Sequence, residues 1–364
     1  MSNLTREART MNSFKKKRIV FTIFLLLFTG TALAQKPYRV GTTAADFLEI
    51  GYGTAGVAMG DAYVSMTNDL ASVYWNPAGL SFMRQSEAQF MYQPWLIDTS
   101  TLFTGVGLVF PRYGTIAVSL FQADYGEMEV TNMDMQDGTG ELFGASDYAV
   151  TLSYGRKLAQ WFAFGASFKY VASQIWHSNA HAMAFDLGVI VKTHFFSPTG
   201  EKTDGMNIGM SICNYGTKMR YDGIDLLHPI DIAPNEGGNY RDVRGKFDLE
   251  SWELPLIFRI GTSVYPLVTA NQRLSLEIDG LHPNNNSESI NLGAQYQVKM
   301  PGTGEFFLRV GYKGLFMDQS QYGFAFGAGM HLFMMNNMGM KLEYAYRGVG
   351  ILGKTYSYSV AFLF

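Results

Sequence analysis

The chain has 364 residues, a formal net charge of -3 and a single cysteine, Cys213. This charge provides no basic patch for nucleic acid, and one cysteine cannot form an internal disulfide. Aromatic residues make up 15% of the chain and charged residues only 16%, while the mean hydropathy is zero. Strands that alternate between a lipid face and a lumen face produce such an average.

The first 34 residues have the three parts of a secretory signal peptide. A basic run at residues 15–18 precedes an apolar run at residues 19–28, and small residues at 32–34 provide a cleavage site. The apolar run is too short for a bilayer core of roughly 30 Å, which needs about 20 apolar residues. We therefore expect cleavage after Ala34 and export without a helical anchor.

Residues 35–85 precede the first predicted strand and are rich in small residues. Their central run is GVAMGDAYVSMTNDLASVYWNPAGL, residues 56–80, in which glycines and alanines allow close backbone packing. Asn68 and Asp69 are predicted to cap a short helix over residues 70–75.

A rigid turn is predicted where that helix ends. Pro77 cannot continue the helix, and Asn76 can bond the backbone two residues further on. Gly79 is expected to adopt a conformation that other residues reach only with strain. The motif residues of this segment are therefore predicted to be Gly60, Asp61, Asn68, Asp69, Trp75, Asn76, Pro77 and Gly79.

The sequence GYGTAG at residues 51–56 matches the glycine pattern of a dinucleotide-binding turn. No βαβ pattern follows it, and an exported protein has little access to NAD. We therefore predict no cofactor and interpret these glycines as packing positions.

From residue 86 onward the chain is predicted to form fourteen strands separated by turn residues. Strands of about ten residues argue against a soluble β-sandwich, whose strands usually have about five or six. An even number is typical of single-chain bacterial outer-membrane barrels. The predicted strands cover residues 86–93, 102–110, 115–124, 146–156, 162–176, 181–194, 206–214, 252–265, 273–281, 289–300, 305–316, 321–334, 340–347 and 354–364.

Alternation along these strands predicts two different faces. In the last strand, aromatic residues such as Tyr356 and Tyr358 share one face and serines such as Ser357 share the other. We expect this strand to pair with the first, because an open edge in lipid would leave backbone groups unsatisfied. The charged residues predicted to face the lumen are Lys169, Asp186, Arg259, Glu277, Asp279, Arg309, Lys313, Lys341, Glu343 and Arg347.

The two longest predicted connections, residues 125–145 and 215–251, are the third and the seventh. Outer-membrane barrels keep long loops outside, so both odd-numbered connections are predicted to face outward. The seventh mixes apolar and charged residues, which suits either a partner-binding surface or a lid over the barrel mouth. Its candidate partner-binding residues are Tyr221, Leu226, Leu227, Ile230 and Tyr240.

We find no catalytic or metal-binding constellation in the sequence. His177 and His181 lack a helical spacing and a nearby acidic ligand, so no metal site is predicted. Cys213 falls on a lumen face, where a small filler is the better interpretation than a nucleophile. We expect no enzymatic activity, although a site assembled across several strands stays open.

The run FLEIGYGTAGVAMGDAYVSMTNDLASVYWNPAGL, residues 47–80, resembles the N-terminal signature of the PorV/PorQ family, relatives of the FadL-like outer-membrane channels. This resemblance implies an all-β fold, a transmembrane antiparallel barrel of about 14 strands. It also implies that residues 76–80 belong to an N-terminal plug inside the lumen, and we expect residues 35–85 to form this plug and residues 86–364 the barrel.

The resemblance also implies a location in the outer membrane and two alternative functions. The first is an accessory binding subunit for type IX or similar protein export, with secretion-system components and exported surface proteins as partners. The second is a FadL-like passive transporter of hydrophobic small molecules. In both cases we expect contact with outer-membrane lipid and the barrel-assembly machinery, and none with nucleic acid.

Overall fold

The computed structural model describes residues 39–238, 242–334 and 338–364. The predicted signal peptide over residues 1–34 lies outside the described residues, as does Tyr240 of the seventh connection. Within the described ranges, no helix has the length and apolar character needed to cross a membrane.

Fourteen antiparallel strands form a closed barrel. The barrel strands are β1 Glu87–Pro94, β2 Ser100–Phe110, β3 Gly114–Glu129, β4 Leu142–Ala159, β5 Phe162–Ile175, β6 Ser178–Lys192, β7 Asn207–Gly216, β11 Ile257–Val268, β12 Gln272–Pro283, β13 Ser289–Met300, β14 Gly304–Leu315, β15 Phe324–Phe333, β16 Gly339–Gly348 and β17 Lys354–Leu363; the three short strands numbered between β7 and β11 lie in the connection that joins them. Strand β1 pairs with both β2 and β17, and β7 pairs directly with β11, so every barrel strand has two neighbours. The predicted fold class and all fourteen predicted strands are confirmed.

Burial alternates along the strands as the sequence predicts. Nine of the ten charged residues assigned to the lumen are buried and the tenth, Lys341, is half-buried, whereas their apolar neighbours in sequence, such as Leu187 and Leu308, are exposed on the outer face of the barrel. Buried charges require partners, because their transfer from water is costly. Some of these residues pair within the wall, as Lys169 does with Asp186 at 2.7 Å and Arg309 with Glu343 at 2.9 Å. Others find their partners in the contents of the lumen.

The chain before β1 supplies most of these contents; we call residues 39–86 the N-terminal segment. Its 3-10 helices are Asp46–Glu49 and Pro77–Phe82, and its α-helices are Thr54–Ala58 and Ser72–Trp75. Thr54 Oγ1 lies 3.0 Å from Ser357 Oγ of β17. The Asn76 side-chain amide donates to the Val189 carbonyl of β6 at 3.1 Å. Such contacts with strands far apart around the barrel place this segment inside it.

The predicted capping of the second helix is wrong. This helix begins at Ser72, its N-cap is Ala71, and no side chain caps it. Asn68 is exposed, and Asp69 is buried and accepts a hydrogen bond from the Tyr63 hydroxyl at 3.2 Å. Asp69 is thus used in packing against Tyr63 instead of in capping.

The two connections that the sequence predicts to be longest leave the same end of the barrel, which we call the long-connection end. Strands β3 and β4 extend into both ends of the predicted loop at residues 125–145 and leave residues 130–141 as the connection, with a register shift at Asp124/Glu127 and with Gly126 at φ 75°. The connection between β7 and β11 contains β8 Asp222–Gly223, the 3-10 helix Ile224–Leu226, and a hairpin of β9 Leu227–Ile230 and β10 Val243–Lys246. Two further 3-10 helices span Lys202–Asp204 and Gly350–Leu352.

Candidate functional site

The predicted motif residue Trp75 is buried, and glycines of the N-terminal segment lie against its indole. A Cβ added to Gly51 or Gly56 would lie 2.9 Å or 2.5 Å from the Trp75 indole, closer than real side chains come. The aromatic ring of Tyr74 packs edge-on against the indole at 4.6 Å. The GYGTAG glycines therefore leave room for a large side chain, which is the packing role expected from the sequence.

Asp61 joins the segment to two strands. Its carboxylate contacts Arg347 of β16 and accepts from Lys313 Nζ of β14 at 2.7 Å, with all three side chains at most 9% exposed. Burial alone would raise the pKa of Asp61, but Arg347 and Lys313 outweigh it and hold this pKa below its ordinary value. Asp61 therefore stays ionised and neutralises two buried cations.

The backbone at Asp61 is shaped for this contact. Gly60 and Asp61 both lie in the left-handed region, with φ of 66° and 64°, and the Asp61 N–H donates to the Gly56 carbonyl at 2.9 Å. A Cβ on Gly60 would lie 2.5 Å from the Tyr312 nitrogen of β14. Gly60 therefore meets both a conformational and a steric requirement, since glycine alone allows this approach.

Two carboxylates of β12 accept hydrogen bonds from the segment's backbone. The N–H groups of Tyr63 and Val64 donate to Asp279 Oδ2 at 2.8 and 3.0 Å, and the Ser65 N–H donates to Glu277 Oε1 at 2.6 Å. Buried N–H groups need such acceptors where no helix or strand supplies them. These wall carboxylates thus satisfy an irregular stretch of backbone.

Asn76 makes three hydrogen bonds at the predicted turn. Its Nδ2 donates to the Val64 and Val189 carbonyls, at 3.0 and 3.1 Å, and its Oδ1 accepts from the Ala78 N–H at 3.1 Å. The bond to Ala78 is the one expected from the sequence. Pro77 begins the 3-10 helix, where its missing N–H has no cost. Asn76 therefore links the segment both to itself and to the wall.

Gly79 does not adopt the strained backbone conformation predicted for it. Its backbone is outside the left-handed region. A Cβ there would instead lie 2.6 Å from Ser72 Oγ, so Gly79 is required by space. Two glycines of the barrel wall, Gly165 and Gly188, lie against Pro77 and Asn76 at distances that leave no room for a side chain. This contact between the turn and the wall could not be predicted from the sequence.

Arg259 and Cys213 lie side by side beneath the second helix. Both are buried, and Arg259 Nη1 donates to Cys213 Sγ at 3.1 Å. The guanidinium packs over the Tyr74 ring, 4.8 Å from its centroid. This contact gives Cys213 the role of a small packing residue that the sequence indicated.

The candidate partner-binding residues do not form one surface. Tyr221 is half-buried and hydrogen-bonded to Ser173, next to Asp147 and Tyr125. It belongs to the base of the long connection, where Met219 is buried. Leu226 is half-buried, whereas Leu227 and Ile230 are exposed on the hairpin. The base of the connection is therefore packed against the barrel, whereas the hairpin is exposed.

Comparisons with known proteins agree with this architecture. The family model described as type IX secretion system protein PorV matches residues 33–236. The Pseudomonas putida toluene transporter TodX is 12% identical with a TM-score of 0.52, and the match covers 86% of this chain and 96% of TodX. The Ralstonia pickettii toluene transporter TbuX is 10% identical with a TM-score of 0.53, over 86% and 97% of the two chains.

A third similar structure is a Pseudomonas aeruginosa FadL homologue, 13% identical with a TM-score of 0.50 over 90% of this chain and 99% of that one. At these identities the likeness is one of fold. No curated protein matches the chain. Since the family model spans more than half of the sequence, including the whole N-terminal segment, the chain belongs to the PorV family of outer-membrane β-barrels.

Proposed function

We propose that this protein is an accessory binding subunit of type IX or similar protein export, which receives exported proteins at the long-connection end of a closed barrel. The observation that carries the proposal is the PorV family match over residues 33–236, which includes the N-terminal segment and the first strand of the hairpin. The proposal further divides the chain into a plug at residues 35–85 and a wall at residues 86–364.

The contacts of the N-terminal segment support a plug that stays in place. A solute crossing the lumen would have to separate Asp61 from Arg347 and Lys313, and Asn76 from the β6 backbone. Breaking a buried ion pair alone costs about 3–5 kcal/mol. Passive transport, which the fold likeness to the toluene transporters favours, would require a large displacement of this segment.

The hairpin supports binding of a protein partner. Leu227, Ile230, Val243 and Phe247 expose apolar side chains on it. It forms a separate two-stranded sheet, so both of its outer edges can accept a further strand. Contacts of Lys246 with Asp222 and of Arg220 with Asp248 hold its base. A held ribbon loses little entropy on binding, which favours affinity.

Substitution of the apolar hairpin residues tests this function. The variant Leu227→Ser/Phe247→Ser should reduce the amount of exported protein that co-purifies with the barrel by about tenfold, since two apolar anchors are lost. Ile351→Ser is the matched control, because Ile351 is exposed on another connection at the same end. The heat-dependent gel mobility of both variants should equal that of the unsubstituted protein.

The same variants separate the two candidate functions. Unchanged cargo binding by the double variant, together with fatty-acid uptake by liposomes that contain the unsubstituted barrel, would favour the transporter. Loss of cargo binding without such uptake would favour the accessory subunit.

A further inference from the structure

A cavity of about 820 Å³ lies at the opposite end of the lumen, where the short connections join the strands. The N-terminal segment forms its inner surface, with Ser65, Asp69 and Met83 among the contributing residues. The ends of several strands and their connections form its walls. Its volume falls within the range of about 300–1,000 Å³ that is typical of small-molecule sites.

Seven lysine and arginine side chains line this cavity: Arg84, Lys157, Lys192, Arg273, Lys299, Arg309 and Lys341. Four of them form ion pairs: Arg273 with Asp204 at 3.3 Å, Lys299 with Glu305 at 3.7 Å, Arg309 with Glu343 at 2.9 Å and Lys341 with Glu87 at 2.7 Å. Among the described residues, Arg84, Lys157 and Lys192 have no carboxylate within ion-pair distance.

Two of these three cations lie over one aromatic ring of the N-terminal segment. Lys157 Nζ of β4 lies 4.7 Å from the centroid of Phe82, and Lys192 Nζ of β6 lies 3.9 Å from it. Arg84 is two residues further along the chain and lines the same cavity. The face of the Phe82 ring attracts a cation, but the positive charges of Lys157, Lys192 and Arg84 repel one another. The carboxylate that acts on Lys192 is Asp204, which lies beyond ion-pair distance from it and is already paired with Arg273. Within the described part of the chain, the three cations therefore have no carboxylate of their own.

We propose that this cavity binds a phosphate group between Lys157 and Lys192, with Arg84 as a third contact. Phosphate is favoured because it combines up to two negative charges with several acceptor oxygens, which can bond all three cations at once. The group can come from a lipid or from a soluble phosphate. Bound there, it joins the segment that carries Phe82 to the two wall strands.

Calorimetric titration of the full mature chain, in a detergent without phosphate, tests this site. The probes are inorganic phosphate and a short-chain phosphatidic acid. At least one should bind saturably, and Lys157→Gln/Lys192→Gln should weaken that binding at least tenfold. Arg112→Gln is the matched control, since Arg112 is exposed in the turn between β2 and β3 at the same end but does not line the cavity.

The two probes distinguish the sources of the phosphate. Binding of phosphatidic acid alone assigns the site to a lipid headgroup, whereas binding of inorganic phosphate assigns it to soluble phosphates. The absence of saturable binding for both probes, or equal binding by the double variant and the control, would overturn the proposal. Heat-dependent gel mobility establishes that the double variant is folded, and its retention is required for the comparison.

Discussion

Replacing Asp61 by asparagine should weaken the docking of the N-terminal segment without opening the barrel wall. The Asp61 carboxylate neutralises Arg347 and Lys313, whose side chains are 0% and 9% exposed. Asparagine has nearly the same shape and tolerates the left-handed backbone at this position, where φ is 64°. The substitution therefore removes one charge and leaves two buried cations without their carboxylate.

The expected loss of docking free energy is about 3 kcal/mol. Removing one partner of a buried pair costs about 3–5 kcal/mol, and we take the lower end because the amide oxygen of the new side chain can still accept one hydrogen bond. Since 1.4 kcal/mol corresponds to a factor of ten, the undocked population should rise by roughly a hundredfold. The strands pair through backbone bonds that do not involve this side chain, so the barrel itself should persist.

Limited proteolysis of reconstituted barrels measures this change. The initial cleavage rate within the N-terminal segment should rise in Asp61→Asn and stay unchanged in Asp318→Asn, a control at an exposed aspartate. Lys313→Gln added to Asp61→Asn should recover part of the loss, because it removes one unpaired cation. A cleavage rate within twofold of the unsubstituted protein would refute the reasoning. Loss of heat-dependent mobility would instead make Asp61 a requirement for the wall.

Asn76→Leu should remove three hydrogen bonds and crowd Gly188. Dye leakage through reconstituted barrels should therefore increase while their heat-dependent gel mobility is kept. Unchanged leakage would contradict the assignment of this segment as a plug. A protease site at Gly237 should be cut in intact cells and one at Pro301 should not; equal protection of both would show the orientation to be wrong. Burial raises the pKa of Asp69 from 3.8 to about 6, so the docked segment favours the protonated carboxyl and docking weakens as the pH rises from about 4 to 6. Asp69→Asn should therefore dock more tightly than the unsubstituted protein by about 3 kcal/mol at pH 8 and equally at pH 4. Proteolysis measures both, and equal cleavage rates at pH 8 would argue against a buried charge.

The strands could be predicted because apolar and polar residues alternate with a period of two over long stretches. Few structures other than a β-strand fit such a pattern. Strand boundaries at the long-connection end could not be predicted, since the pairing of β3 with β4 continues beyond residue 124 only after a bulge that Gly126 allows. A bulge changes the register without a clear sign in the apolar pattern. The loop at residues 125–145 therefore looked longer than it is.

The motif residues could be predicted as a group, but their partners could not. Asp61 and Arg347 are separated by 286 positions, and their contact depends on the closure of the whole barrel. The glycines show a second limit, because sequence does not tell whether a glycine is needed for its φ, as at Gly60, or for space, as at Gly79. Only the neighbours in three dimensions distinguish the two.

The charged lumen face shows why the contents of a barrel must be considered together with its wall. Alternating charged and apolar residues predict a polar interior, and an aqueous channel would produce the same pattern. Here, however, Glu277 and Asp279 accept backbone N–H groups of residues 63–65, and Lys313 contacts a carboxylate of the same segment. These charges satisfy a folded chain in place of water. The proposed binding at the ends of the barrel, as opposed to transport through its centre, rests on this filling of the lumen.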